Sequence, residues 1–371
     1  MSGGLAPLGN LSHIRSARLR LRLALPLLVG VALLAGACAT AEPERAAEPG
    51  AAPRAGRGAT PPSAAHVEPL PDVFRSDDFI VTFARPGDTA ETLAQRHLGD
   101  AAKAWMITDY MRRGTFAPGD EVIIPVRPWN PAGVETTGYQ LVPILCYHNL
   151  ATQAKGRLVL AAASFEEQMR YLKKEGYRVV SLGEFVEFMS FKRQLPRKSV
   201  VLTFDDGYRS FKEFAYPILK ELGFTATLFV YTEYVGAGRN AFSWDDLKAL
   251  AAEGFDIQAH SKTHGDLRRA PNEPDAQFAR RMQAELEQPL TLFQQRIGTR
   301  PHYLAYPYGR QDDDVVKKAR EYGYIAAFTV RRQGSPAFVF PLRGHRSQIY
   351  SEMTLEDFVK NLDVFATEEL K

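Results

Sequence analysis

The sequence predicts an α/β protein: a (β/α) barrel preceded by a small strand–helix–helix–strand (βααβ) module. Two observations carry this. The apolar runs "LVPILCY", "YRVVSL", "SVVLTF", "ATLFVY", "FDIQAH", "HYLAYP" and "YIAAFTV" alternate with helical segments through the C-terminal part of the chain. Strands alternating with helices imply a parallel sheet. Seven or eight such units in roughly 230 residues suit a barrel better than a doubly wound open sheet. Ahead of them, "FIVTF" and "PGDEVIIPV" read as two strands enclosing two helical stretches.

At the N-terminus, Arg15, Arg18, Arg20 and Arg22 precede "LALPLLVGVALLAGAC", an uncharged run ending in small residues and Cys38. That is the layout of a secretory signal peptide over residues 1–38. The run falls short of the roughly 20 apolar residues that cross a bilayer. Residues 39–72 are dominated by Ala, Pro, Gly and charge, cannot bury a core, and are predicted to be a disordered tether. The formal charge of +3 comes from 46 basic and 43 acidic residues, and without the four leader arginines it becomes −1. No basic patch marks a nucleic-acid partner. Cys146 is the only cysteine besides Cys38, so the processed chain has no internal disulfide to form. It is predicted to be a small buried hydrophobe.

The module spans 73–128. "FIVTF" alternates as a strand does, and "DTAETLAQRHLG" follows with Asp88 and Glu91 spaced as a capping box. "AAKAWMITDYM" reads as the second helix and "PGDEVIIPV" as the returning strand. Residues 129–139 read as a second linker, and 140–371 as the barrel. Within the barrel, Ser164 with Glu167, Ser181 with Glu184, and Ser243 mark helix starts. Gly176, Gly223, Gly254 and Gly323 mark helix ends. Pro217 and Pro289 should start or kink helices.

The chemistry concentrates at strand ends. "VVLTFDDGYRSF" closes an apolar run with Asp205, Asp206 and Gly207. Asp-Gly is a hairpin signal, but Phe211, Phe214, Ala215, Ile218, Leu219 and Leu222 follow at helical spacing. The carboxylate pair therefore ends a parallel strand, at the edge where barrels build their sites. His148 follows "VPILCY", His260 follows "FDIQA" with His264 four residues on, and Tyr308 follows "YLAYP". One such His would be unremarkable, since most are structural. Three, facing a carboxylate pair, point to a site. Two imidazoles and a carboxylate suit a divalent metal, Zn²⁺ first and Co²⁺, Ni²⁺ or Fe²⁺ by the same ligand set. A second carboxylate can take a proton and a further His can give one. Such a set fits metal-assisted hydrolysis of an amide or ester.

Three resemblances sharpen these expectations. "RPGDTAETLAQRHLGD", Trp105, Ile107 and "FAPGDEVIIPV" resemble the LysM domain, departing from it at Ala90 and at Met111–Arg112. That implies binding of glycans containing N-acetylglucosamine. "LLAGAC" resembles a lipobox, with Ala35 where Leu is usual, and implies a lipid anchor at Cys38. The expected location is the cell envelope, anchored to the outer membrane and facing the periplasm.

"TFDDG" with "HSKTH" resembles the first two motifs of the polysaccharide deacetylase family, over about Leu141 to Phe365. The resemblance implies an irregular (β/α) barrel and metal-dependent deacetylation of an N-acetylated polysaccharide, either an exopolysaccharide or peptidoglycan. By position it makes Asp205 the general base and Asp206, His260 and His264 the metal ligands. Thr203, Phe204 and Gly207 would shape the turn, with Ser261 and Thr263 orienting the loop. "LAYPYG" matches the third motif at Pro307, Tyr308 and Gly309, with Tyr308 helping to hold the oxyanion. Ala305 stands where the family has Arg, so Arg343 in "PLRGH" is expected to hold Asp205 instead. "PILCYHNL" and "FSWDDLKALAAEGFDIQAHSKTH" resemble the branch acting on poly-N-acetylglucosamine, where an early His is the acid. His148 is therefore expected in that role ahead of His345. The alternatives are a non-catalytic glycan-binding lipoprotein and an O-acetyl esterase acting on another polysaccharide.

Overall fold

The computed structural model describes residues 72–368. The leader, Cys38 and the Ala/Pro-rich stretch to residue 71 lie outside the described residues. Among the described residues no helix is long and apolar enough to cross a membrane.

The N-terminal module has the expected strand–helix–helix–strand order, with one short strand added in front. Val73–Arg75, Phe79–Phe83 and Glu121–Pro125 form an antiparallel sheet with Phe79–Phe83 in the middle. Helices Ala90–Leu98 and Ala104–Met111 bury Leu93, Ala94 and Ile107 against Val122 and Ile124. The first helix is capped by Thr89 and Thr92 rather than by Asp88 and Glu91. Asp88 is already engaged in the preceding turn, accepting from the Arg85 amide and pairing with Arg96. Arg112 closes the second helix at φ 56°, a left-handed position that Gly or Asn occupies at lower cost. Its guanidinium pairs with Glu135.

The barrel strands are β1 (Ile144–Tyr147), β2 (Arg178–Val179), β3 (Ser199–Asp206), β4 (Thr227–Val230), β5 (Asp256–Ala259), β6 (Tyr303–Ala305), β7 (Ala326–Phe328) and β8 (Ser347–Gln348). All pair in parallel, in the order β7-β6-β5-β4-β3-β1-β8, with β2 against the start of β3. Between β7 and β8 the ring is completed irregularly. Gly344 bridges Phe328, the Thr329 amide donates to the Gly344 carbonyl at 2.8 Å, and Ser347 then pairs with Leu145.

Strand alternation sorts the side chains. Val200, Leu202 and Phe204 of β3 pack outward under the helices, together with Leu145, Leu228, Ile257 and Leu304. Ile144, Val201, Phe229, Ala305 and Phe328 point inward, where helix Leu182–Met189 brings Leu182, Phe185 and Phe188 to the same cluster. Thr203 and Asp205 share the parity of Val201, and Cys146 that of Ile144. The inner face thus turns from apolar to polar toward the strands' C-terminal ends.

The capping boxes at Ser181/Glu184 and Ser243/Asp246 form as their spacing predicts. Ser164 instead lies inside helix Ala162–Lys174, which begins without a side-chain cap. Each helix proline follows a π-helical turn. Phe211–Ala215 leads into Tyr216–Leu222, and Gln283–Glu287 into Gln288–Ile297. Proline donates no backbone bond, and a widened turn upstream accommodates the gap.

Residues 129–139 are ordered structure rather than a free linker. Val134–Glu135 and Gly138–Gln140 form a hairpin flanked by Phe365–Thr367. The Asn130 side chain closes its turn by bonding both the amide and the carbonyl of Val134. Gln194 Oε1 accepts from the Trp129 and Asn130 amides at 2.9 Å each. Trp129 packs on Trp105 and Tyr110 of the module, and the Arg197 amide donates to Asp109 Oδ2 at 2.8 Å. Gln194 and Arg197 directly precede β3. The module therefore sits at the strands' N-terminal ends, and the 8 residues of β3, about 26 Å at 3.3 Å per residue, separate it from Asp206.

Asp109 is pushed up to about 7, chiefly by burial and with Glu135 adding to it, against the pull of Arg178 and Arg112. A carboxyl that holds its proton to higher pH in the folded state contributes stability that is complete below its unfolded pKa. That stability is lost as pH rises through about 7. Thermal melts at about pH 5 and about pH 8 should show a larger loss in wild type than in Asp109→Asn. Equal losses would contradict this assignment.

Candidate active site

Asp205 and Asp206 are neighbours on a strand, so alternation should send them to opposite faces of the sheet. The backbone prevents this. Asp206 lies at φ 75° and Gly207 at φ 93°, and the inverted turn swings Asp206 back toward the interior end. A Cβ on Gly207 would come within 2.8 Å of Val230, so the turn admits glycine alone. Ser261, His264 and Tyr308 also have left-handed backbones, at φ 69°, 64° and 60°. Such conformations cost about 1–3 kcal/mol each and persist where the surroundings hold them.

Asp205 is 3% exposed and is gripped from β8's approach. Arg346, fully buried, donates Nη1 to Oδ1 and Nη2 to Oδ2, both at 2.7 Å, while its Nε donates to the Thr329 carbonyl at 3.1 Å. Cys146 Sγ adds a third donor to Oδ2 at 3.4 Å. Burial opposes ionisation of Asp205, but the Arg346 charge, then His260, outweigh it and hold the carboxyl below its ordinary value. Asp205 is therefore a fixed carboxylate.

Asp206, His260 and His264 each bring one ligand atom into a cluster no more than 4.8 Å across. Asp206 Oδ1 lies 3.5 Å from His260 Nε2 and 3.3 Å from His264 Nε2, yet it is buried with no hydrogen-bond partner. His260 Nδ1 donates to the Ala305 carbonyl at 2.7 Å, which leaves Nε2 bare toward Asp206. A bare His260 nitrogen and the His264 imidazole around an orphaned carboxylate oxygen are a donor set that a divalent cation takes. Burial opposes the Asp206 charge as well, but its two histidines carry its pKa far below normal.

The loop carrying His264 is held by groups of different origin. Ser261 Oγ accepts from the His264 amide at 3.0 Å. Glu285, buried in a π-helical turn, accepts from the Lys262 and Thr263 amides and from the Thr263 hydroxyl, at 3.2, 3.0 and 2.9 Å. His148, just beyond β1, lies within 4.8 Å of both Cys146 Sγ and Asp205, and its buried Nδ1 has no partner. Burial lowers its pKa, against the upward pull of Asp205 and Asp206. The Tyr308 ring is 56% exposed and packs on His264 with centroids 4.8 Å apart.

The structure thus brings together Asp205, Asp206, His148, His260, His264 and Tyr308. It does not bring Arg343. That residue ends an outer 3₁₀ turn, Pro341–Arg343, and pairs with Asp313 on the surface. Arg346 takes the place expected for it, because the chain enters the barrel only after Gly344 bridges β7. His345 is half-buried and held by Gly334 and Ser335, and it belongs to neither cluster of ligating side chains. Glu285 and Cys146 were not foreseen in these roles. A π-helical turn leaves no signature in spacing, and a lone apolar-run cysteine reads as core.

Removing Arg346 leaves a buried, unpaired carboxylate, so Arg346→Met should lower the unfolding free energy by ~3–5 kcal/mol. Arg343→Met, on the surface, should stay within about 0.5 kcal/mol. Urea denaturation of the two variants distinguishes the assignments, and a reversed ranking would return Arg343 to the site.

Comparison with known proteins agrees with this geometry. The family model "Polysaccharide deacetylase" matches residues 192–327. The chain is 27% identical to the YxkH protein of Bacillus subtilis (strain 168) over 198 residues, 53% of this chain and 67% of that one. It is 27% identical to the poly-beta-1,6-N-acetyl-D-glucosamine N-deacetylase of Staphylococcus epidermidis over 185 residues, 46% of this chain and 60% of that enzyme's length. The Streptococcus pyogenes deacetylase PplD, solved with acetate, superposes with a TM-score of 0.54 at 26% identity, covering 61% of this chain and all of that one. The paired aspartates and the two histidines at the strand ends all lie in the segment that the family model matches, so residues 192–327 belong to a polysaccharide deacetylase domain.

Proposed function

We propose that the protein is a metal-dependent N-deacetylase of a β-linked N-acetylhexosamine polysaccharide, with a poly-N-acetylglucosamine exopolysaccharide the favoured substrate. The observation that carries this reading is the pairing of a fixed base carboxylate, Asp205, with an adjacent Asp–His–His set around an orphaned oxygen. The names of the matched relatives support the substrate class.

Asp206, His260 and His264 would hold the cation, which supplies Lewis acidity and lowers the pKa of a water at the site. Asp205 accepts the proton of that water, its carboxylate aimed by Arg346. His148, on the other side of Asp205, gives a proton to the sugar nitrogen as acetate departs. Tyr308 closes the site over His264, and its left-handed backbone presents the peptide toward the acetamide oxygen. The non-catalytic reading rested on the missing third-motif arginine, and Arg346, just ahead of β8, supplies a guanidinium to the base.

The N-terminal module is proposed to hold an N-acetylglucosamine glycan on the barrel's far side. It would localise the enzyme rather than feed the site. Export and lipid anchoring at Cys38 to the outer membrane, facing the periplasm, complete the proposal.

Acetate release from a β-linked N-acetylglucosamine oligomer and from peptidoglycan tests it. Release should be lost with chelator, should fall about 10²–10⁴-fold in Asp205→Asn, and should be greater on the oligomer. Release that survives chelation would contradict the mechanism, and silence on both substrates would contradict the activity.

A further inference from the structure

Beyond the catalytic groups, tyrosines gather on one flank of the ligand triad. Tyr231 and Tyr234 follow β4, and their rings stack with centroids 5.2 Å apart and planes 19° from parallel. Tyr208, just after Gly207, meets Tyr234 edge-on at 5.5 Å. Tyr231 also packs on His264 at 5.2 Å. All three rings are half-buried, and no sequence period announces them.

Their positions are fixed by the catalytic loop. The Thr232 amide donates to the Ser261 carbonyl at 3.3 Å, the Glu233 amide to the Lys262 carbonyl at 3.0 Å, and the Tyr234 amide to the Tyr231 carbonyl at 3.2 Å. The segment bearing the tyrosines and the one bearing His260 and His264 are thereby one framework. An aromatic face held rigidly beside a reacting centre suits the C–H face of a pyranose ring, with the Tyr231 and Tyr234 hydroxyls to meet its polar edge while that of Tyr208 is directed at Asp206.

We propose that Tyr231, Tyr234 and Tyr208 form a sugar-binding platform for the hexosamine unit next to the one being deacetylated. They set the enzyme's preference for a polymer over a single sugar. This rests on the deacetylase reading and names specificity residues for it. Calorimetric titration of a short β-linked N-acetylglucosamine oligomer into the metal-loaded Asp205→Asn protein supplies the test. Adding Tyr234→Ala or Tyr231→Ala should weaken binding about tenfold, and Tyr234→Phe, which keeps the ring, should restore it to within about threefold. Matching melting transitions confirm that each variant is folded. Equal affinity in the alanine variants overturns the platform while leaving the deacetylase reading intact. No binding by the parent, with no acetate released by the intact chain, overturns both.

Discussion

The site depends on the buried pair of Arg346 with Asp205. Two charges are withdrawn from water, at a cost that only near-ideal geometry offsets. Here the fork of the guanidinium meets both carboxylate oxygens at 2.7 Å, and Thr329 and Thr203 take up two more of its donors. The arrangement fixes the direction in which Asp205 can accept a proton. It also ties the irregular seam of the barrel, Gly344 to Ser347, to the strand that carries both aspartates. Closure of the ring and orientation of the Asp205 carboxylate are one interaction.

Around that pair the backbone is bent to bring consecutive or nearby residues onto one side. The left-handed turn at Asp206 makes neighbouring carboxylates share a site, and similar turns at Ser261 and His264 aim the second imidazole. Glu285 supports the latter turn with three accepted bonds. The geometry of the Asp206, His260 and His264 cluster is thus set by groups outside it. At the other end of the strands the N-terminal module is packed against the barrel through Trp129, Gln194 and Asp109. In the proposed function, a glycan held there lies away from the reacting one.

Much of this was legible in the sequence, and the reason is local. Alternating apolar runs gave the parallel sheet, and Ser181/Glu184 and Ser243 placed their helix starts because a capping box is a short-range device. Asp205, Asp206, His148 and His260 could be found because they stand at the ends of apolar runs, with His264 four residues after His260, and strand ends are where barrels assemble sites. What escaped depends on long-range closure. Arg343 looked suitable by proximity in sequence, but three residues decide whether a side chain lies outside the barrel or inside it. Glu285 owes its position to a widened helical turn ahead of Pro289. The hairpin at 134–140 read as a linker because its partner strand, Phe365–Thr367, lies at the other end of the chain.

The central claim is that Asp206, His260 and His264 form a single cation site beside an independent base. Metal content of the purified chain, measured by plasma emission after equilibration with Zn²⁺ and gel filtration, tests this most directly. The account predicts one equivalent per chain in wild type and in Asp205→Asn, and loss of it in His260→Ala and Asp206→Ala. Metal retained in the latter pair, or lost only with Asp205, would contradict it.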